Sequence, residues 1–183
     1  MGLDEQLREA VDSAVRFADD GEELRGVVPA EPASGERVYL CVYSRGEEQR
    51  WLALDGAGRP VGDRRLVRDA VSIAAMCELA EETAGGGDVG ELRARLVELR
   101  LTENPEGIEE AEVAAAELQE AIVGPPRLAS AAYLDSIGGA ALRLEQALGE
   151  VGGSPFAEAM KVGIGAAEEL AADVERSYKR PLS

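Results

Sequence analysis

Between Asp63 and Ala84 the chain is apolar on nearly every side: from Val67 to Ala80 only Arg68, Asp69, Ser72 and Glu78 interrupt the apolar residues. A helix with that pattern cannot keep one whole face in water, so the stretch predicts a central, buried helix around which the rest packs. The N-terminal pattern is ordinary amphipathic spacing. Leu3, Leu7, Ala10, Val11, Ala14, Phe17 and Ala18 predict a first helix that Asp19, Asp20 and Gly21 end. Residues 21–36 turn to Gly, Pro, Ser and Glu, with Leu24, Val27 and Val28 the only large apolar residues, and read as a loop with at most a short extended piece. The periodicity then changes. Arg37–Arg45 and Gln49–Asp55 are rich in β-formers, are separated by Gly46, Glu47 and Glu48, and predict a β-hairpin at about 37–55. Alternation places Leu40 and Val42 on one face and Tyr39, Cys41 and Tyr43 on the other; the second strand divides into Leu52 with Leu54, and Trp51 with Ala53. Neither face is polar, so both need a cover. One is expected on the Asp63 helix, the other on a further helix, an added strand or a second subunit.

Beyond Gly85, Gly86 and Gly87 the pattern is helical to the end. Asp88 followed by Glu91 predicts a capping box, and Val89, Leu92, Leu96 and Leu99 then step by three and four. Asn104-Pro105 predicts a helix start, with Asn as cap and Pro in the first turn, ahead of Ile108, Ala111, Ala115, Leu118 and Ile122. Gly124, Pro125 and Pro126 break the chain before a longer helix predicted from about Arg127 to Glu150. Ser154-Pro155 opens the last helix in the same way. There Phe156, Met160, Gly163, Ala167, Leu170 and Val174 keep to steps of four and three, as in a bundle seam. Gly163, Gly165, Ala166 and Ala167 would let another helix come close. The expected fold is mainly α (α+β by a small insertion): a single helical domain over 1–183, a bundle of about six helices with one β-hairpin after the first helix.

Composition sharpens this picture. The 183 residues are 45% apolar, enough for a core, but only 4% aromatic, so the core must be built from Ala, Leu, Val and Ile. Small residues favour closely packed helices over a large sheet with a roomy pocket. A net charge of -17 and a pI near 4.4 argue against nucleic acid or an anionic membrane surface as partner. The basic residues are Arg apart from Lys161 and Lys179; with abundant Ala and Gly, this points to a GC-rich bacterial source or to adaptation to salt or heat. No stretch reaches the roughly 18 apolar residues of a membrane span, and MGLDEQLREA lacks a signal-peptide pattern, so a cytoplasmic location is expected. Cys41 and Cys77 lie in apolar runs and are expected as buried thiols, with a disulfide between them or a redox role as the alternatives. The chain has no histidine, which excludes imidazole triads, the usual zinc sites and haem held by His within it. With two cysteines, a site held by four thiolates in one chain is excluded too. Any metal would be a hard ion held by oxygen.

One stretch resembles a known catalytic motif. Cys77-Glu78-Leu79-Ala80-Glu81-Glu82-Thr83-Ala84-Gly85 is similar to the end of the Nudix box, and Glu78, Glu81 and Glu82 match that family's three carboxylate positions. The resemblance implies magnesium held against a diphosphate, on a fold with a mixed sheet. The chain departs from the motif at Cys77, where the family has Arg, at Asp69 in place of an upstream Glu, and at Ala84, which displaces the Gly by one. The all-helical nucleotide pyrophosphatases resemble the chain better in fold class, and Glu78 with Glu81 matches their first Glu-x-x-Glu pair. Their second pair, Glu-x-x-Asp, has no match on the next two helices; Glu169 and Asp173 come nearest, one residue too far apart.

Two charged stretches remain. Arg59, Arg64, Arg65 and Arg68, with Gly56, Gly58 and Gly62, form an arginine-rich turn before the central helix that could hold an anion. Arginines in a first turn oppose the helix dipole, so acidic neighbours are expected for them. Between Pro105 and Ile122 stand six glutamates and no Lys or Arg, either a solvated face or the dock for the arginine turn, within the chain or across a dimer. No residue is assigned a catalytic, cofactor-binding or metal-binding role, and no cofactor is expected. The expected function is a non-enzymatic structural or protein-interaction role, as a homodimer or with another protein, through helix seams and the two-faced hairpin. The alternative is a magnesium-dependent nucleotide or diphosphate hydrolase using Glu78, Glu81 and Glu82.

Overall fold

The first amphipathic run closes as α1 (Leu3–Val15), which buries Ala10 and Ala14. The chain continues into β1 (Glu23–Glu31) and β2 (Val38–Arg45), then reverses at Gly46 and Glu47 into β3 (Glu48–Leu54). Gly46 holds φ 61° in that turn, a state that bulky side chains avoid. Then come α2 (Arg64–Thr83), α3 (Val89–Thr102), α4 (Ile108–Ala121), the short strand β4 (Ala129–Ser130), α5 (Ala131–Ala147) and α6 (Pro155–Ser177). The computed structural model describes residues 2–85, 88–124, 126–149 and 154–181. These are mainly helical, with six helices and a four-stranded sheet in the order β3-β2-β1-β4. The sheet is antiparallel except for the β1–β4 pair.

Two compact units divide the chain. The first comprises Met1–Ala75, Pro125–Ala131 and Ala166–Ser183, and the second Met76–Gly124 and Ala132–Gly165. In the first unit α1 packs on β1 and β2. Strand register puts Tyr39, Cys41 and Tyr43 opposite Leu54, Leu52 and Arg50 on one face. From that face Tyr43 Oη donates to the Ala14 carbonyl at 2.6 Å and Tyr39 Oη to Gln6 Oε1 at 3.1 Å, which fixes α1 over it. On the opposite face Leu40 and Ala53 are also fully buried. On that face Val42 and Trp51 are half-buried, so it is covered within the chain at Leu40 and Ala53 and in part at its other end. Past the end of α6, Tyr178 ties the C-terminal segment to the sheet: its hydroxyl donates to the Val61 carbonyl at 2.7 Å and accepts the Ala53 N–H at 3.3 Å.

The second unit is built from small residues, as the composition requires. Ala111, Ala114 and Ala115 of α4 and Ala140 and Ala141 of α5 are buried beside Leu118, Ile137 and Leu144. Gly163 of α6 faces Leu79 of α2 so closely that an added Cβ would fall 2.8 Å from Leu79 Cδ1 and closer still to its Cδ2. Gly163 thus does what the seam predicted, and Gly163→Val is expected to cost about 1–3 kcal/mol through overpacking. Urea unfolding with an unchanged slope measures this; an unaltered midpoint would show that Leu79 simply moves aside.

The central stretch is buried in part: from Ala70 to Ala80, Ala70, Val71, Cys77 and Ala80 are buried, and residues 72–76 and Leu79 are half-buried. Between Ala70 and Ala80 only Glu78 is exposed, and α2 supplies Val67, Ala70 and Val71 to the first unit and Cys77 and Ala80 to the second. Several boundaries differ from expectation. Residues 21–36 are not a loop, since β1 occupies nine of them, with a bulge between Leu24 and Gly26. Pro29 fits there because β4 pairs only with Ala30 and Glu31, leaving the proline on an open edge that needs no N–H. The hairpin is accordingly the outer half of a four-stranded sheet. The helix expected from Arg127 begins only at Ala131, because Ala129 and Ser130 pair with β1. Asn104 ends α3 rather than starting α4: it takes φ 45° and its N–H donates to the Leu99 carbonyl, while Gly107 at φ 84° is the cap of α4. Asp88 caps α3 without a side-chain hydrogen bond, so the capping box is not formed. Ser154 does cap α6, its Oγ accepting the Ala157 N–H at 3.1 Å. On α6, Ala171 rather than the 40% exposed Leu170 continues the inward face.

Candidate functional site

The Nudix-like carboxylates come down on the last turns of α2. Glu78 and Glu82 are exposed, and Glu81 accepts a hydrogen bond from Tyr133 of α5 at 2.5 Å. Among the described residues no three or more Asp, Glu, Cys or His side chains converge as a metal would need. Among the described residues, too, β4 alone follows α2, so the strands implied by the resemblance are not formed there.

The arginine-rich turn and the glutamate helix each find partners within their own unit. Arg59 pairs with Asp55 at 3.0 Å and Arg68 with Glu175 of α6 at 3.1 Å, while Arg64 and Arg65 stay exposed. The start of α2 is capped by Asp63, whose Oδ1 accepts the Arg65 and Leu66 N–H groups. A bound anion would have to displace that carboxylate. On α4, Glu112 pairs with Arg100 of α3 at 2.9 Å and Glu117 with Arg143 of α5 at 3.2 Å. Of the turn's arginines, Arg59 and Arg68 thus meet the acidic neighbours expected of them, on Asp55 and on Glu175 of α6.

Sequence reading did not anticipate the cluster where β3 meets the end of α1. The Arg50 guanidinium lies 4.3 Å above the Tyr43 ring, donates to the Phe17 carbonyl at 2.8 Å and grips both Glu22 oxygens at 2.6 to 3.2 Å. Those hydrogen bonds outweigh burial, which acts in the opposite sense, and hold the Glu22 carboxyl at about 2. Burial pushes the Tyr43 phenol up and the Cys41 thiol to about 12, so neither ionises at neutral pH. This network joins elements and leaves no reactive group to solvent. Cys77 is buried as well, and neither thiol is in a disulfide. Beside the cluster's unit a polar hollow of about 310 Å³ opens between α1 and the turn after β3, lined by Gln6, Glu9, Asp12, Arg16, Tyr39 and Asp55 among others. Its Gln6 oxygen already accepts from Tyr39 and from Arg37, which also pairs with Glu31 at 3.0 Å.

The surface that stands out is apolar. Of the exposed large apolar side chains among the described residues, Val97, Leu101, Val113, Val123, Leu142, Leu148, Val162 and Ile164 belong to the helical second unit, against Val15 and Leu170 in the first. On its outer side a groove of about 570 Å³ runs between α4 and α5, floored by Val113, Ala114 and Ala147 and edged by Glu109, Glu110 and Glu117. No helix among the described residues is long and apolar enough to cross a membrane. Comparison with protein-family models, with curated proteins and with solved structures finds no match to this chain.

Proposed function

We propose a non-enzymatic role in protein interaction, exercised as a homodimer through the helical second unit. The observation that carries this reading is the concentration of exposed apolar side chains there, headed by Val162 at 81% and Leu101 at 73% exposure. Exposed apolar side chains gathered on one unit are the kind of surface that marks a protein-interaction site. The hairpin, largely buried within its own unit, is not part of the proposed contact. The buried, unreactive state of Cys41 and Tyr43 and the separate engagement of Glu81 support a binding rather than a chemical role.

Light scattering across a dilution series should give a mass near twice the 19.3 kDa chain at high concentration, falling toward one chain on dilution. A mass of one chain throughout would overturn the homodimer. A thermal-shift series with magnesium, manganese and nucleotides addresses the hydrolase alternative, since a ligand that binds only the folded state must raise its melting point. Unchanged melting at millimolar metal is expected, and a rise that Glu78→Gln and Glu82→Gln abolish would replace the interaction reading.

A further inference from the structure

Deepening the homodimer reading, on which it rests, we infer that the cationic end of the first unit, where α2 begins and α6 ends, docks on the carboxylates that open α4 of a second copy. Three contacts bring that end together. Tyr178 Oη donates to the Val61 carbonyl at 2.7 Å, Arg68 pairs with Glu175 at 3.1 Å, and the Arg180 side chain lies 3.4 Å from where a Cβ on Gly62 would stand. Residues 59–69 and 173–180 thereby gather seven of the chain's 19 Lys and Arg against four carboxylates, in a chain of net charge -17. Three of those carboxylates are already engaged: Glu175 by Arg68, Asp173 by Arg176, and Asp63 by the first N–H groups of α2. Arg64, Arg65, Lys179 and Arg180 are exposed and have no ion pair among the described residues. Arg65 shares an open hollow of about 580 Å³ between α2 and α6 with Asp69 and Glu168, and pairs with neither. Neighbouring cations without counter-charge raise a positive potential that an anionic surface lowers.

The occupant is selected by charge, and the same chain supplies it. Glu103, Glu106, Glu109 and Glu110 are exposed and have no ion pair among the described residues. They stand in the longest stretch of the chain without a Lys or Arg, residues 101–126. The arginines that border them are taken: Arg100 pairs with Glu112, and Arg143, which shares the α4–α5 groove with Glu109 and Glu110, pairs with Glu117. Glu109 and Glu110 also occupy the first turn of α4, where the helix dipole favours carboxylates without any cation beside them. Four unpaired cations thus have four unpaired carboxylates to meet, and because each copy carries both sets, a two-fold axis makes the contact twice. Opposite charge at the contact offsets, locally, the repulsion between two copies of net charge -17.

Salt and charge exchange test the pairing together. The Debye length falls from about 10 Å at 0.1 M salt to about 3 Å at 1 M, so sedimentation equilibrium of the parent chain should show dimerisation at least tenfold weaker at the higher salt. Association through apolar side chains alone would not weaken. One variant carries Arg64→Glu, Arg65→Glu, Lys179→Glu and Arg180→Glu; the other carries Glu103→Lys, Glu106→Lys, Glu109→Lys and Glu110→Lys. Each alone places like charges at both contacts and should dimerise at least tenfold more weakly than the parent chain at about 0.1 M salt. Their equimolar mixture matches charge at both contacts and should recover parental affinity. All eight positions are exposed, so helical circular dichroism should stay unchanged. Should either variant lose it, Gln at the same positions replaces the reversals and still predicts weakening. A parent chain that dimerises while salt, both variants and the mixture leave its affinity unaltered would overturn this pairing and leave the homodimer standing on another face. Weakened variants whose mixture fails to recover would also overturn it. A parent chain that stays monomeric would overturn both readings, and a different anionic partner for the cationic end would appear as that monomer.

Discussion

Tyr178→Ala is expected to lower stability by about 3–5 kcal/mol, the cost of emptying a buried aromatic site. The ring is 3% exposed, and its hydroxyl bridges Val61 and Ala53, neighbours on the sheet side that lie more than a hundred residues away in sequence. Removing it unfastens the segment after α6 from β3 and leaves a carbonyl and an N–H to be satisfied by water. Tyr178→Phe separates the two contributions: the ring stays, and only the hydroxyl bridge is lost, for about 1–3 kcal/mol. Urea midpoints at constant slope measure both. If Tyr178→Phe melts like the parent chain, the bridge is not formed in solution and the anchoring is by packing alone.

Arg50→Ala is expected to cost about 2–3 kcal/mol, because it leaves the Glu22 carboxylate, 8% exposed, without its partner. The side chain also withdraws its donation to the Phe17 carbonyl and its cover of Tyr43. The pH dependence gives the distinctive signature. A Glu22 carboxyl held at about 2 in the folded state and near its ordinary 4.5 when unfolded contributes stability that is complete above pH 4.5 and is lost as pH falls toward 2. In Arg50→Ala that contribution disappears, so the acid limb of its stability curve should be flatter than that of the parent chain over this window. Arg50→Lys, which keeps the charge but not the two-pronged grip, should fall between them. Parallel acid limbs would mean that Glu22 is not held by Arg50.

Much of the fold is legible in the sequence wherever one local period dominates. The apolar run through α2, the amphipathic spacing of α1 and α6, and the alternation of β2 and β3 each announce themselves within some twenty residues. What is not legible depends on partners far away. The strand β1 carries Gly26, Pro29 and two glutamates, and looks like a loop until Tyr39 and Leu40 stand opposite Pro29 and Val28. Ala129 and Ser130 look helical until Ala30 and Glu31 pair with them. Asn104 illustrates a different limit: the same residue favours both a helix start and a left-handed helix end, and only the hydrogen bond to Leu99 decides. The Glu22–Arg50 pair spans 28 residues with nothing in its spacing to mark it, because it exists only through the strand register. The exposed apolar side chains of the second unit are not legible either: the acidic run of α4 is plain in the sequence, but the exposure of Val113 among it needs the packing of the helices to be recognised.

Amide hydrogen exchange, followed residue by residue as the protein is concentrated, bears most directly on self-association through the second unit, whose exposed apolar side chains include those of α3, α4 and α5. Protection should rise with concentration at residues 93–101 and 109–117 and around 143–147, and should stay constant in β1, β2 and β3. Exchange that does not change with concentration, or that slows on the sheet and leaves these three helices unaltered, would contradict the account.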